Sequence, residues 1–466
     1  MYAPFLSTGE SAPPFRPPAY FQDDPVAQDY ADYFSDLDFS QIPTRCASGW
    51  GRRGHPLSAY IKAVLVMTRE KIPYCTELRT FLVKHPALVL LLGFRPQRSA
   101  RSAYGFDVAR TVPTDRHLRR KLQAIPNVYL QSILQGTVTD LKAEVPHFGR
   151  RAALDNKHIY ACVKQNNPKA YVKDRFDPTR QPPGDPDCRL GVKRRTNQAP
   201  KTPAASCVEE APPPTDAPSQ GAPQAPSKEY VWGYGTSVVA TKHRRWGEFV
   251  LAEQTEPFNR HDIDFFPTLL PTVERRLGFR PKRFSADAAY DAWYVYDYFA
   301  QAGGRAYIPL NLRGHPLPRL GANGFHLCDD EREMIGAGTY FDHTRGFSAQ
   351  TERCPLLFGE SPESETCRIQ HPQFQKGVGC VKQLNLELGA RVRIELDRSS
   401  PEYKREYAWR TTDERIFSQA KERGIERPRQ RNIASIRNRN TLIYIIINAN
   451  ALKRVRKAKH QENMRL

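Results

Sequence analysis

Four side chains within fifteen residues, Tyr407, Arg410, Glu414 and Lys421, could do chemistry on a phosphate. A glutamate can ligate a hard cation, whereas Arg and Lys carry fixed positive charge and can only hold anions. Placed on a helix at about 100° per residue, the four fall within roughly a 60° arc, and Trp409, Ile416 and Ala420 gather on the opposite side. Ser400 can cap such a helix, Pro401 suits its first position, Glu402 follows in the first turn, and Gly424 can take the left-handed residue that ends it. The spacing therefore predicts one helix over 401–423. A charged stripe on an amphipathic helix is most often only a solvated face.

The spacing Tyr-x2-Arg-x3-Glu-x6-Lys resembles, at all four positions, the signature of the DDE transposases of one large group of bacterial insertion sequences. The resemblance implies a ribonuclease-H-like catalytic domain. In it Glu414 is the last of three metal-binding carboxylates, with Mg²⁺ or Mn²⁺ as cofactor, and Tyr407, Arg410 and Lys421 contact the cleaved DNA end. Two carboxylates must then lie upstream. Ala152–Val163 is dense in β-formers yet contains Asp155, which strands disfavour. A turn or capping role is one reading; the resemblance makes Asp155 the first catalytic carboxylate. Relatives usually show Gly after this Asp, where Asn156 and Lys157 stand here. Arg283–Asp287 reads as a short strand ending at an acid, the place where parallel sheets put active sites. It looks like the family's second catalytic block, with Ala289 and Tyr290 as the small and aromatic residues. Asp291 is the rival; Asp287 is preferred because it directly ends the strand, whereas Asp291 is placed to cap the next helix.

Phosphodiester cleavage needs a more acidic water and a stabilised leaving oxygen, and two hard divalent ions supply both. Mg²⁺ keeps several waters, so a few carboxylates converging from separate segments suffice. Asp155, Asp287 and Glu414 would meet that need.

The composition agrees with a polyanionic partner. Lys plus Arg exceeds Asp plus Glu by 70 − 50 = 20, and residues 401–466 carry 17 − 7 = 10 of that excess. The nine cysteines are odd in number and scattered, which suits a reducing compartment. No basic start precedes an apolar run at the N-terminus, and the longest apolar runs, Ala87–Leu92 and Leu442–Ile447, fall far short of a bilayer span. The expectation is a cytoplasmic, nucleoid-associated chain without a membrane partner.

Along the chain, 1–47 reads as an acidic, Pro-rich and largely disordered tail whose aromatic part could dock, and 48–150 as an all-helical DNA-binding domain. Helices are expected from Pro56 to Met67 and at 75–84, 86–92, 114–124 and 126–143. Thr114 caps a helix carrying Arg116, Arg119, Arg120 and Lys121, which could enter a DNA groove or simply be an exposed basic face. Residues 151–312 hold strands, a helix over Asp262–Leu277 and a Pro/Ala-rich flexible insert at 196–228. The insertion 313–399 contains Cys328, Cys354, Cys367 and Cys380 with His326 and His371 nearby, which suggests either a structural Zn²⁺ or free buried cysteines. Thr441–Leu452 reads as a buried helix, and Lys453–Lys459 continues it as a basic tail facing phosphate or solvent.

The fold class expected is α/β: a ribonuclease-H-like mixed sheet with flanking helices, preceded by an all-helical N-terminal domain and interrupted by the Cys-containing insertion. The function expected is a transposase acting as a homodimer on double-stranded DNA, cutting the element's terminal inverted repeats and joining the 3′ ends to target DNA. An inactive DNA-binding derivative and a stand-alone metal-dependent nuclease are the alternatives.

Overall fold

The computed structural model describes residues 18–43, 54–194, 228–312, 318–360 and 366–464. The Pro/Ala insert lies outside them, apart from its last residue, as do the first 17 residues of the acidic tail.

Among the described residues seven α-helices precede the sheet: α1 (Pro25–Ser35), α2 (Leu57–Arg69), α3 (Cys75–Lys84), α4 (Pro86–Leu92), α5 (Val108–Thr111), α6 (Asp115–Ala124) and α7 (Asn127–Glu144). The expected helices fall within two residues of these bounds, because capping and apolar period are local signals. The aromatic part of the tail forms a docked helix. Asp24 caps α1 by accepting from the backbone of Ala27, and the helix buries Tyr30, Tyr33 and Phe34. Aromatic burial of this size outweighs the acidic composition, since Asp29 and Asp36 are matched by Arg69, Lys453 and Arg456.

The main sheet contains β1 (Arg151–Tyr160), β2 (Arg189–Arg194), β3 (Lys228–His243), β4 (Gly247–Pro257), β5 (Arg283–Ala286) and β6 (Arg305–Tyr307). β3 is antiparallel to β1, and its other edge takes β2 along 228–233 and then β4 along 234–243. β1 runs parallel to β5, and β5 parallel to β6. The sheet is thus mixed, with its parallel part where two acids were expected. Helices α8 (Phe266–Leu277) and α9 (Trp293–Ala300) follow β4 and β5.

The period-2 alternation of strands assigns the two faces. Leu154 and Val239 share one core with Leu269, Leu270, Val295 and Phe299 of α8 and α9. Val238 and Ala240 turn the other way, into a core with Ile416, Phe417 and Ala420. Asp155 pairs with Val238, so its side chain is on that second face.

A small antiparallel sheet, β7 (Ile335–Asp342), β8 (Phe347–Arg353) and β9 (Val381–Asn385), builds the insertion together with α10 (Pro355–Phe358), while α11 (Leu388–Glu395) packs on α9. The stretch 401–423 is not one α-helix. It divides into α12 (Pro401–Tyr407), a 3-10 turn Ala408–Arg410, and α13 (Thr411–Glu422). The turn coincides with an anchored ring: Trp409 lies between the cations of Arg151 and Lys242, 4.9 and 4.6 Å from its centroid. A 3-10 turn winds at three residues per turn, so Tyr407 and Arg410 are not where a straight helix would put them. Both ends match expectation, with Ser400 accepting from the backbone of Tyr403 at 3.1 Å and Gly424 at φ +77°.

The last helix, α14 (Ile433–Asn463), carries the buried Leu442–Ile447 run. It joins the N-terminal helices to the sheet: Asn438 donates to the carbonyls of Leu122 and Ile125, and Asn448 to the carbonyl of Val250. Residues from Tyr30 to Ala449 consequently share one core, so the helical segment has no separate one. At the basic end of α14 Arg456 pairs with Asp36, Asp140 and Glu144, and Lys459 with Glu144, while Lys453, Arg454 and Lys457 are exposed.

Candidate active site

The parallel register aligns Leu154 with Ala286, which brings Asp155 beside Asp287 at the point where β5 stops and β1 continues. Asp287 then caps a 3-10 turn, accepting from the backbone of Ala289 at 2.9 Å. Across the face lies α13. Arg410, at its N-terminal end, donates to Oδ2 of Asp155 at 3.2 Å and to Oε1 of Glu414 at 2.5 Å. One guanidinium thus ties two of the three expected carboxylates together, and its fork geometry suits that task.

The electrostatics are those of crowded acids. Burial, with Asp287 and Asp262 close by, pushes Asp155 up to about 7, against the pull of Arg410. Burial and Asp262 also raise Asp287. Tyr407 stacks on Tyr403 at 5.6 Å and 11°, and burial raises its phenol. Lys421, on the outer part of α13, pairs with Glu426 at 3.4 Å, and the same carboxylate takes Lys157 at 2.5 Å.

Asp291 does not cap α9, whose N-cap is Ala292. It sits fully buried and accepts from Arg393 at 2.8 and 2.7 Å, from the Tyr296 hydroxyl at 2.9 Å and from the backbone of Asn311 at 2.7 Å. Every acceptor position of that carboxylate serves the fold, which leaves Asp287 as the acid open to the site.

Two acids were missed. Asp262 receives the Asn156 side-chain amide, so the residue in place of the usual Gly recruits a further carboxylate toward the site. Nothing local signals this, since Asp262 and Asn156 are joined only by the packing of α8 on the sheet. Asp413 is fully buried with both carboxylate oxygens unpartnered, and its nearest charges are Asp155, Arg410 and Glu414. A signal did exist: on the helical projection Asp413 falls on the apolar side with Trp409 and Ile416, where an acid is out of place.

Among the described residues no three His, Cys, Asp or Glu side chains stand close enough to hold a metal ion as they are. The donor chemistry nevertheless suits a hard divalent cation. Buried acids that raise one another's pKa, and an orphaned buried carboxylate beside them, are relieved by added positive charge, which Arg410 supplies here.

In the insertion Cys328, Cys354 and Cys380 share a buried cluster with Met334, while Cys367, also buried, lies outside it. His326 is engaged with buried Glu352 at 2.8 Å and is not part of the cluster. On α6, Arg116, Arg119 and Arg120 are exposed, with Leu118 and Leu122 turned inward. No helix among the described residues is long and apolar enough to cross a membrane. No family model, curated protein or solved structure matches this chain.

Proposed function

We propose that this chain is a DNA transposase that cuts DNA at the ends of an insertion sequence and joins the freed 3′ ends to target DNA. The observation that carries the reading is that the parallel strands set Asp155 beside Asp287, while Arg410 ties Asp155 to Glu414 of the crossing helix. The strand order, with three antiparallel strands followed by two parallel ones beside β1, supports a ribonuclease-H-like domain.

Asp155, Asp287 and Glu414 would hold Mg²⁺ or Mn²⁺, with Asp262 and Asp413 adding negative charge behind them. Bound there, the metal would acidify a water and stabilise the leaving oxygen. Arg410, next to the half-buried Tyr407 ring, and Lys421, farther along α13, hold phosphate oxygens of the DNA end. Arg116, Arg119 and Arg120 offer α6 to the terminal repeat. A homodimer on DNA and a nucleoid location belong to the same proposal. So does a structural zinc drawn in by Cys328, Cys354 and Cys380, supported by their shared buried cluster, whose thiols would close further on the ion.

The test is strand cleavage and joining on a duplex carrying the inverted repeats that flank the gene, with Mg²⁺ or Mn²⁺. Asp155→Asn, Asp287→Asn and Glu414→Gln should each abolish cleavage while DNA binding persists. Cleavage without joining would make the protein a nuclease, and normal cleavage by all three variants would refute the site.

A further inference from the structure

We propose that the far end of β1 opens into a cleft for single-stranded DNA, in which bases stack on tyrosine and phenylalanine rings while a row of arginines holds the phosphates. The choice of DNA rests on the reading above; the cleft itself rests on four observations.

Two cavities of about 490 and 450 Å³ adjoin, sharing Tyr160, Asn166, Pro168 and Arg427 in their walls. They form one groove between the segment that follows β1, the start of β3 and the linker from α13 to α14.

The groove is cationic. In the linker, Arg427, Arg429 and Arg431 are exposed, whereas Pro428 is buried and Gln430 half-buried, so alternate residues present three guanidinium groups on one side. Lys164 and Lys228 add to them, against Glu229 as the only carboxylate among the described residues of the lining. The three linker arginines form no ion pair among the described residues, in contrast to Arg456 and Lys459 of α14. An uncompensated cationic row in a groove is a site for a polyanion.

The groove is also aromatic. The Arg427 guanidinium lies 4.6 Å from the Tyr160 ring centroid, and Phe176 and Tyr230 pair at 6.1 Å while remaining 36% and 41% exposed. Rings held open beside arginines offer flat faces to unpaired bases, which a duplex keeps stacked inside itself.

Its walls are fixed before any ligand arrives. Asn166 donates to the carbonyls of Ala161 and Trp232 at 2.8 and 2.7 Å and accepts from the Trp232 backbone at 3.0 Å. The Trp232 indole donates to the carbonyl of Arg175 at 2.8 Å, and the Tyr160 backbone to that of Glu426 at 2.8 Å. Tyr160 is five residues beyond Asp155 on one strand, roughly 16 Å away; the odd spacing turns its ring to the other face, and because β5 pairs β1 only as far as Leu154, a DNA strand leaving the carboxylates would round that edge of β1 to reach the groove.

The experiment is fluorescence anisotropy of the full chain with a labelled oligo-dT of about 12 nucleotides, its abasic counterpart and an RNA of the same sequence. The abasic strand should bind roughly 5- to 100-fold more weakly than oligo-dT. Tyr230→Ala and Tyr160→Ala should weaken oligo-dT but not the abasic strand, Tyr160→Phe should restore it, and Arg429→Gln should weaken both and lower the salt slope by about one. Tyr230 is exposed, so its truncation leaves the core closed. Equal affinity for oligo-dT and the abasic strand, ring variants without effect, or tighter binding of RNA would each overturn the proposal. Cleavage that depends on Asp155 is measured separately. If it persists while the stacking signature is missing, the cleft is rejected and the transposase reading stands; if stacking is present and such cleavage is not, the reverse holds.

Discussion

The guanidinium of Arg410 and the carboxylate of Asp155 meet at 3.2 Å although 255 residues separate them in the chain. The same guanidinium reaches Glu414, so Arg410 sits between two proposed metal ligands.

Arg410 therefore opposes a cation at this site. Calorimetric titration with Mn²⁺ should show Arg410→Ala binding metal as tightly as the parent or tighter, by roughly tenfold, because a fixed positive charge has been removed. Glu414→Gln should bind more weakly. Loss of metal affinity in Arg410→Ala as severe as in Glu414→Gln would mean that the two roles are misassigned.

Asp155 makes stability depend on pH. Its folded-state value is pushed up to about 7, whereas an unfolded Asp titrates near about 3.9. The unfolded chain thus releases this proton first, and the contribution falls as pH rises through that window. In chelator, the melting temperature of Asp155→Asn should gain on the parent's between pH 5 and 8, by an amount worth a few kcal/mol at most. A constant or shrinking gap would contradict the crowding described around Asp155.

Asp291 and Arg393 form a buried pair, and breaking such a pair costs on the order of 3–5 kcal/mol. Asp291→Ala should lower the denaturation midpoint markedly, whereas Asp287→Asn should barely move it. Arg393 and the Asn311 backbone hold Asp291 below the ordinary carboxylate range, so its stabilising contribution is present at neutral pH and lost as pH falls into the acid range. An Asp291→Ala protein as stable as the parent but unable to cleave would reverse the assignment of the two acids.

Metal analysis should find about one zinc per purified chain. Cys354→Ser should release it and expose the insertion to limited proteolysis, because Cys354 belongs to the cluster's core. Stable protein without zinc would leave these cysteines as buried apolar side chains.

The sequence by itself determined what depends on near neighbours. Ser400 and Gly424 bound the stretch that carries Tyr407, Arg410, Glu414 and Lys421 because capping acts within one turn, the helices at 75–84 and 86–92 follow from apolar period, and Asp287 ends its strand because the β-forming run stops there. Tertiary structure decided where each charge finds its partner. Trp409, wedged between Arg151 and Lys242, coincides with the break in the expected helix; packing of α8 brings Asp262 to Asn156; the insertion supplies Arg393 to Asp291; and α1 supplies Asp36 to Arg456. These partners lie from about one hundred to more than four hundred residues apart, so no local period or cap encodes them. Ion pairs act over a few ångströms of space, and only the folded chain fixes which distant acids and bases come that close.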